Sequence, residues 1–153
     1  MRTLDQWLDE YALSHRHPVN KMLHWICVPL IVLALLGLLA SLPIPAALSH
    51  WPGGWASAVA VAALIYYTRL STRLALGMLP VFALLGIGVH ELSMLSAPLW
   101  LSSLVIFGIA WIGQFIGHAI EKQRPSFLKD LQFLLIGPLW LLAAAYRRAT
   151  LRY

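Results

Sequence analysis

The chain reads as an all-α, integral membrane helical bundle, with about four transmembrane helices plus interfacial or re-entrant helices. Apolar residues make up 60% of its 153 residues and charged ones only 11%, whereas soluble proteins are about 45–50% apolar and about 25% charged. The charges are also segregated, because no Asp, Glu, Lys or Arg occurs in residues 22–68, 74–90 or 92–120. Such gaps hold helices of about 20 residues, the length that crosses a bilayer. Chain length predicts one domain, a single membrane-embedded unit over residues 1–153.

Residues 3–14 read as a short amphipathic helix, with Leu4, Trp7, Leu8 and Tyr11 on one face and Asp5, Asp9 and Glu10 on the other. It is expected to lie on the membrane or to pack over the helix ends. In the following His15-Arg16-His17-Pro18-Val19-Asn20-Lys21, proline suits the first position of a new helix. His17 then falls at the N-cap and His24 two turns in.

The first span is expected over residues 23–42, ending at Pro43 and Pro45 and kinked at Pro29. An uncharged loop, 41–54, leads to a second span over 55–68, at the short end for a crossing. The turn carrying Arg69 and Arg73 leads to a third, over 74–95, in which Pro80 marks a break. The fourth, 99–120, stops at Glu121-Lys122-Gln123-Arg124-Pro125. A last apolar run, 131–146, is shorter and contains Gly137-Pro138, which suggests a re-entrant or interfacial segment.

Cationic residues orient membrane proteins towards the cytoplasm. Arg2, Arg16, Lys21, Arg69, Arg73, Lys122, Arg124 and Lys129 all share that side if the chain crosses four times. His15, His17, His24 and His118 then lie on one membrane face, and His50 and His90 towards the other. The loops near His50 and Glu91 carry no Lys or Arg, as this arrangement requires. Arg147, Arg148 and Arg152 return the tail to the cytoplasm, so the fifth apolar segment does not cross.

On a helix, Asn20 and His24 share a face, as do Gln114, His118 and Glu121. If the two helices pack together, His24 and His118 reach one ion and His15 folds over from the preceding turn. Asn20, Gln114 and Glu121 are then expected to fix the imidazole tautomers, a support that metal-bound histidines usually require. Three neutral imidazoles suit iron, zinc or copper and leave positions open for substrate or oxygen. The plainer alternative is that these histidines cap helices or hydrogen-bond across the bundle.

The other candidates read structurally: His17 as a cap, His50 as an interfacial residue, and His90 beside Glu91 as a buried pair remote from the cluster. The seven tryptophans suit membrane-interface anchors.

The net charge of +5 is not arranged as a basic stripe with exposed aromatics, so no nucleic-acid partner is expected. The single Cys27 excludes an intramolecular disulfide or a thiolate cluster. The first apolar run follows some twenty mostly polar residues and is too long for a signal-peptide core. No Gly-x-Ser-x-Gly elbow supports a serine hydrolase. The six acidic residues lie almost wholly outside the apolar segments, against a di-iron carboxylate bundle. Gly-rich phosphate loops are absent as well.

The residues Tyr11 with His15-x-x-Pro18-x-Asn20-x-x-x-His24-x-x-x-x-Pro29, and Trp111-Ile112-x-Gln114-Phe115-Ile116-Gly117-His118 followed by Glu121 and Pro125, carry a resemblance over nearly the whole chain. They resemble the membrane 2-hydroxy fatty acid dioxygenases of the yeast type. His17 stands where that motif has Asn, and the stretch from His118 to Pro125 is a residue shorter. The Leu131-Gln132-Phe133 to Pro138-Leu139-Trp140 run resembles the bacterial branch, which implies a bacterial inner-membrane protein, and the charge distribution above puts the metal site at its cytoplasmic side.

The resemblance implies an Fe(II)-dependent enzyme of fatty acid α-oxidation that converts a 2-hydroxy fatty acid to a fatty acid one carbon shorter, with O2 as co-substrate. His15, His24 and His118 would hold Fe(2+), with Asn20 and Glu121 completing the catalytic site. The acyl tail would lie among apolar helices. Lys21 and Arg124 are candidates for the substrate carboxylate, although phospholipid anchoring suits them better. Two other readings remain open: a non-catalytic membrane bundle that binds lipid or a partner, and a zinc hydrolase with the same ligands.

Overall fold

The computed structural model describes residues 2–46, 53–125 and 132–153. Among the described residues the chain forms α1 (Leu4–Leu13), α2 (Pro18–Ala40), α3 (Gly54–Leu70), α4 (Thr72–Ser93), α5 (Leu99–Glu121) and α6 (Phe133–Arg148), and no strand. His50, Lys129 and Leu131 lie outside the described residues.

Local sequence explains the helix starts. Thr3 caps α1 in a reciprocal box: the Gln6 amide donates to Thr3 Oγ1 (3.3 Å) and the Thr3 amide to Gln6 Oε1 (2.9 Å). Pro18 occupies the first turn of α2, and His17 at the N-cap accepts the Val19 amide through Nδ1 (3.2 Å), as expected from the sequence. Ser71 lies between α3 and α4, and its hydroxyl caps α4 by accepting from the Leu74 amide.

Both α2 and α4 run through their prolines, Pro29 and Pro80. The expected break at Pro80 does not occur. A proline removes one hydrogen bond from the helical ladder, and apolar surroundings offer no water to compete for the remaining ones. Likewise α6 is one continuous helix through Pro138.

Among the described residues, three helices, α2, α4 and α5, are long and apolar enough to cross a membrane, where about four were expected. The exception is α3, whose 17 residues span about 26 Å at 1.5 Å per residue, just under a hydrocarbon core of about 30 Å.

The closest pairing is between α2 and α5, which run antiparallel. Small residues meet larger ones along the seam: Gly37 against Ser103, Gly113 against Cys27 and Gly117 against Asn20. A Cβ at Gly113 would stand only 2.6 Å from Cys27 Sγ, so the backbones approach as closely as small residues permit. This register sets the second turn of α2 beside the last turns of α5.

Over that same end lie α1 and α6. The apolar face expected for α1 is buried at Trp7, Leu8 and Tyr11. It packs on α6 through an edge-on Trp7–Phe133 contact (5.1 Å) and the tilted Tyr11–Trp140 pair (5.4 Å). Tyr67, at the end of α3, donates its hydroxyl to the Leu135 carbonyl (2.8 Å), fastening α6 to the α3–α4 turn. Trp7 and Trp140 are therefore core residues, not the interface anchors expected, whereas Trp55 and Trp100 are exposed.

Candidate metal centre

Each of the three histidines comes from a different element. His15 follows the end of α1, His24 sits in the second turn of α2 and His118 in the last turn of α5. Their ring centroids lie 4.1 Å (His15–His24), 5.0 Å (His15–His118) and 5.1 Å (His24–His118) apart. One ring nitrogen from each falls within 4.8 Å of the others, and all three residues are at least 95% buried.

The main chain sets the tautomers. His15 Nδ1 donates to the Tyr11 carbonyl (2.5 Å) and His24 Nδ1 to the Asn20 carbonyl (2.9 Å). A carbonyl only accepts, so each Nδ1 carries the proton and each Nε2 keeps its lone pair. Those two Nε2 atoms face each other at 2.8 Å. Two apposed lone pairs repel unless a cation lies against both. Burial holds His15 down to about pKa 4, outweighing the opposing effect of its bond to the Tyr11 carbonyl, so a proton is a poor candidate for that cation at neutral pH. His118 adds a buried Nδ1 with no hydrogen-bond partner. Such a donor set fits a metal ion bound by neutral imidazoles.

Tyr11 stacks on His15 with the rings 4.2 Å apart and nearly parallel. Burial pushes the Tyr11 phenol up, which keeps it protonated. The four-residue interval from Tyr11 to His15 was the available signal for this contact, since it places one turn of backbone carbonyl beneath the imidazole. Sequence reasoning instead assigned the tautomer-fixing role to the side chains of Asn20, Gln114 and Glu121.

Those side chains are placed differently. Asn20 Nδ2 donates to the Ser14 carbonyl (3.1 Å) and to Glu121 Oε2 (2.6 Å). Glu121 Oε1 accepts the Arg16 amide. Together they fasten the turn that carries His15 to the ends of α2 and α5. Gln114 is buried, lines the cavity beside His24 and His118, and leaves Nε2 without a partner.

The cavity at the histidines, about 60 Å³, is walled by Tyr11, Val28, Ile31, Trp111, Phe133 and Gly137 among others. Its polar groups are His15, His24, Gln114 and His118, while Val28, Ile31 and Val32 of α2 and Phe133, Leu134 and Gly137 of α6 supply apolar wall. Lys21 and Arg124 are exposed and do not line it. His17 remains at the helix cap. His90 and Glu91 are both exposed at the last turn of α4, so they form no buried pair.

Comparison with known proteins identifies a family. The family model described as 2-hydroxy-palmitic acid dioxygenase Mpo1-like matches residues 1–149. The 2-hydroxy-palmitic acid dioxygenase MPO1 of Saccharomyces cerevisiae is 29% identical over 136 residues, covering 86% of this chain and 73% of the yeast protein. No solved structure matches the chain.

Proposed function

Since the chain belongs to the Mpo1-like family, we propose that it is an Fe(II)-dependent dioxygenase of fatty acid α-oxidation. In this reading a 2-hydroxy fatty acid and O2 give the fatty acid one carbon shorter, CO2 and water. The observation that carries the reading is the facing pair of Nε2 lone pairs, 2.8 Å apart, with both Nδ1 protons committed to main-chain carbonyls. A scaffold that merely hydrogen-bonds across a bundle has no use for that arrangement, because one pairing proton would serve it better.

His15, His24 and His118 would hold the iron. Bound Fe(II) would supply the redox chemistry and the sites at which a 2-hydroxy carboxylate and oxygen meet. The remaining work falls to the chain. Tyr11 and Trp140 pack against His15 and exclude water, Asn20 and Glu121 keep the His15 turn in place, and Gln114 offers its amide N–H to the polar head of the substrate.

We also propose that the chain crosses the membrane four times, with the site at the cytoplasmic face of a bacterial inner membrane. Parity supports the count. The start of α2 and the end of α5 meet at the histidines, so an even number of crossings separates them. With α2, α4 and α5 crossing, α3 must cross too. Lys21, Arg69, Arg73, Lys122 and Arg124 then share the histidine side.

The test is oxygen uptake by anaerobically prepared, Fe(II)-loaded protein given 2-hydroxyhexadecanoic acid, with products identified by mass spectrometry. One O2 consumed per 15-carbon acid formed supports the reading. No oxygen uptake with this acid, together with zinc-dependent hydrolysis of an acyl ester, would replace it with the hydrolase.

A further inference from the structure

A second cavity adjoins the metal cavity on the far side of α2. It is larger, about 160 Å³ against about 60 Å³. Its walls come from Val28 and Val32 of α2, Met78, Val81 and Leu85 of α4, and Leu141 of α6, among other apolar side chains. No buried polar atom without a partner lies on it, whereas Gln114 and His118 present such atoms to the metal cavity. The neighbouring cavities therefore differ in chemistry as the two ends of a fatty acid do.

They also share a wall. Val28 and Val32, one helical turn apart, line both. Opposite them α6 presents Gly137 to the metal cavity and Pro138 to the second one. A Cβ at Gly137 would lie 3.8 Å from Val28 Cγ1 and 3.0 Å from the Tyr11 hydroxyl, so α6 packs closely on α2 here and, with no side chain of its own at Gly137, leaves the partition between the cavities to Val28 and Val32. The metal cavity by itself has room for a polar head but not for a long chain.

We infer that the alkyl chain of the substrate passes between α2 and α6 and lies in this second cavity, where α4 sets the longest acid accepted. The inference rests on the dioxygenase reading for the identity of the head group. The competing route takes the chain straight into the bilayer past Leu134, which is exposed at the rim of the metal cavity. Along that route no residue of α4 would meet the chain.

The experiment is photocrosslinking of the iron-loaded, detergent-solubilised protein with a 16-carbon 2-hydroxy acid carrying a terminal diazirine, followed by peptide mapping. Adducts on Met78, Val81 or Leu85 are expected. Adducts confined to Leu134, Ile31 and the outer face of α5 would overturn the inference. In parallel, Val81→Trp and Leu85→Trp should each lower turnover of the 16-carbon acid at least ten-fold relative to an eight-carbon one, with bound iron unchanged. An unaltered chain-length profile in both variants would also overturn it. If the wild-type protein turned over no 2-hydroxy acid, the proposed function would fail, while the adduct map would still decide where an alkyl chain lies.

Discussion

His15 Nε2 and His24 Nε2 face each other at 2.8 Å, and neither nitrogen carries a proton, because Tyr11 and Asn20 carbonyls hold the protons on the opposite side of each ring. Removing either ring leaves too few donors to hold an ion. His15→Ala, His24→Ala and His118→Ala should each lose stoichiometric metal while still inserting in the membrane. His90→Ala, at the exposed end of α4, should keep it. Metal analysis of membrane-extracted protein checks the set, and full occupancy in the His24 variant would remove that residue from the ligands.

Asn20 and Glu121 act on the site through the turn between α1 and α2. Glu121→Ala removes one of the two acceptors of the Asn20 amide and the acceptor of the Arg16 main-chain N–H. The loss of such bonds costs about 1–3 kcal/mol where the groups are buried. Metal affinity should fall about 10–100-fold, the usual effect of losing support behind a ligand, with the three imidazoles still present. Thermal unfolding and a competitive metal titration report the two effects separately. Unchanged affinity would show that the turn holds itself.

Gly117 gives a sharper steric test. A methyl group there would overlap Asn20 Oδ1, whereas one at Gly108 meets open space. Gly117→Ala should destabilise the protein by about 1–3 kcal/mol and weaken metal binding, and Gly108→Ala should do neither. Thermal melts of the two variants in one detergent make the comparison.

The histidine site was legible in the sequence because its residues obey helical spacing. His24 follows Asn20 by one turn and His118 follows Gln114 by one turn, so charge-free segments with polar ends announced two facing helices. What spacing could not show is which atoms do the work. The Asn20 side chain and its own carbonyl perform different tasks, and only the folded turn separates them. The reach of α6 was hidden for a similar reason: an apolar run with Gly137-Pro138 looks breakable, yet its burial against Tyr11, Val28 and Tyr67 keeps it whole. The length of α3 lies at the boundary where composition alone stops distinguishing a crossing from a buried helix.

Lys122 closes α5 immediately after Glu121 with φ of 56°, a left-handed conformation that costs a residue with a side chain about 1–2 kcal/mol. Glycine adopts it freely. Lys122→Gly should therefore stabilise the protein by up to about 1 kcal/mol and leave metal content unchanged. Paired unfolding curves check this, and a loss of stability would mean that the lysine side chain contributes something its exposed position does not show.

The most direct test of the metal centre is an anaerobic Fe(II) titration of chelator-stripped, untagged protein, followed by removal of unbound metal and elemental analysis. Three imidazoles with converging lone pairs predict saturation at about one iron per chain. Failure to retain iron under those conditions would contradict the account and leave the histidines as structural members of the bundle.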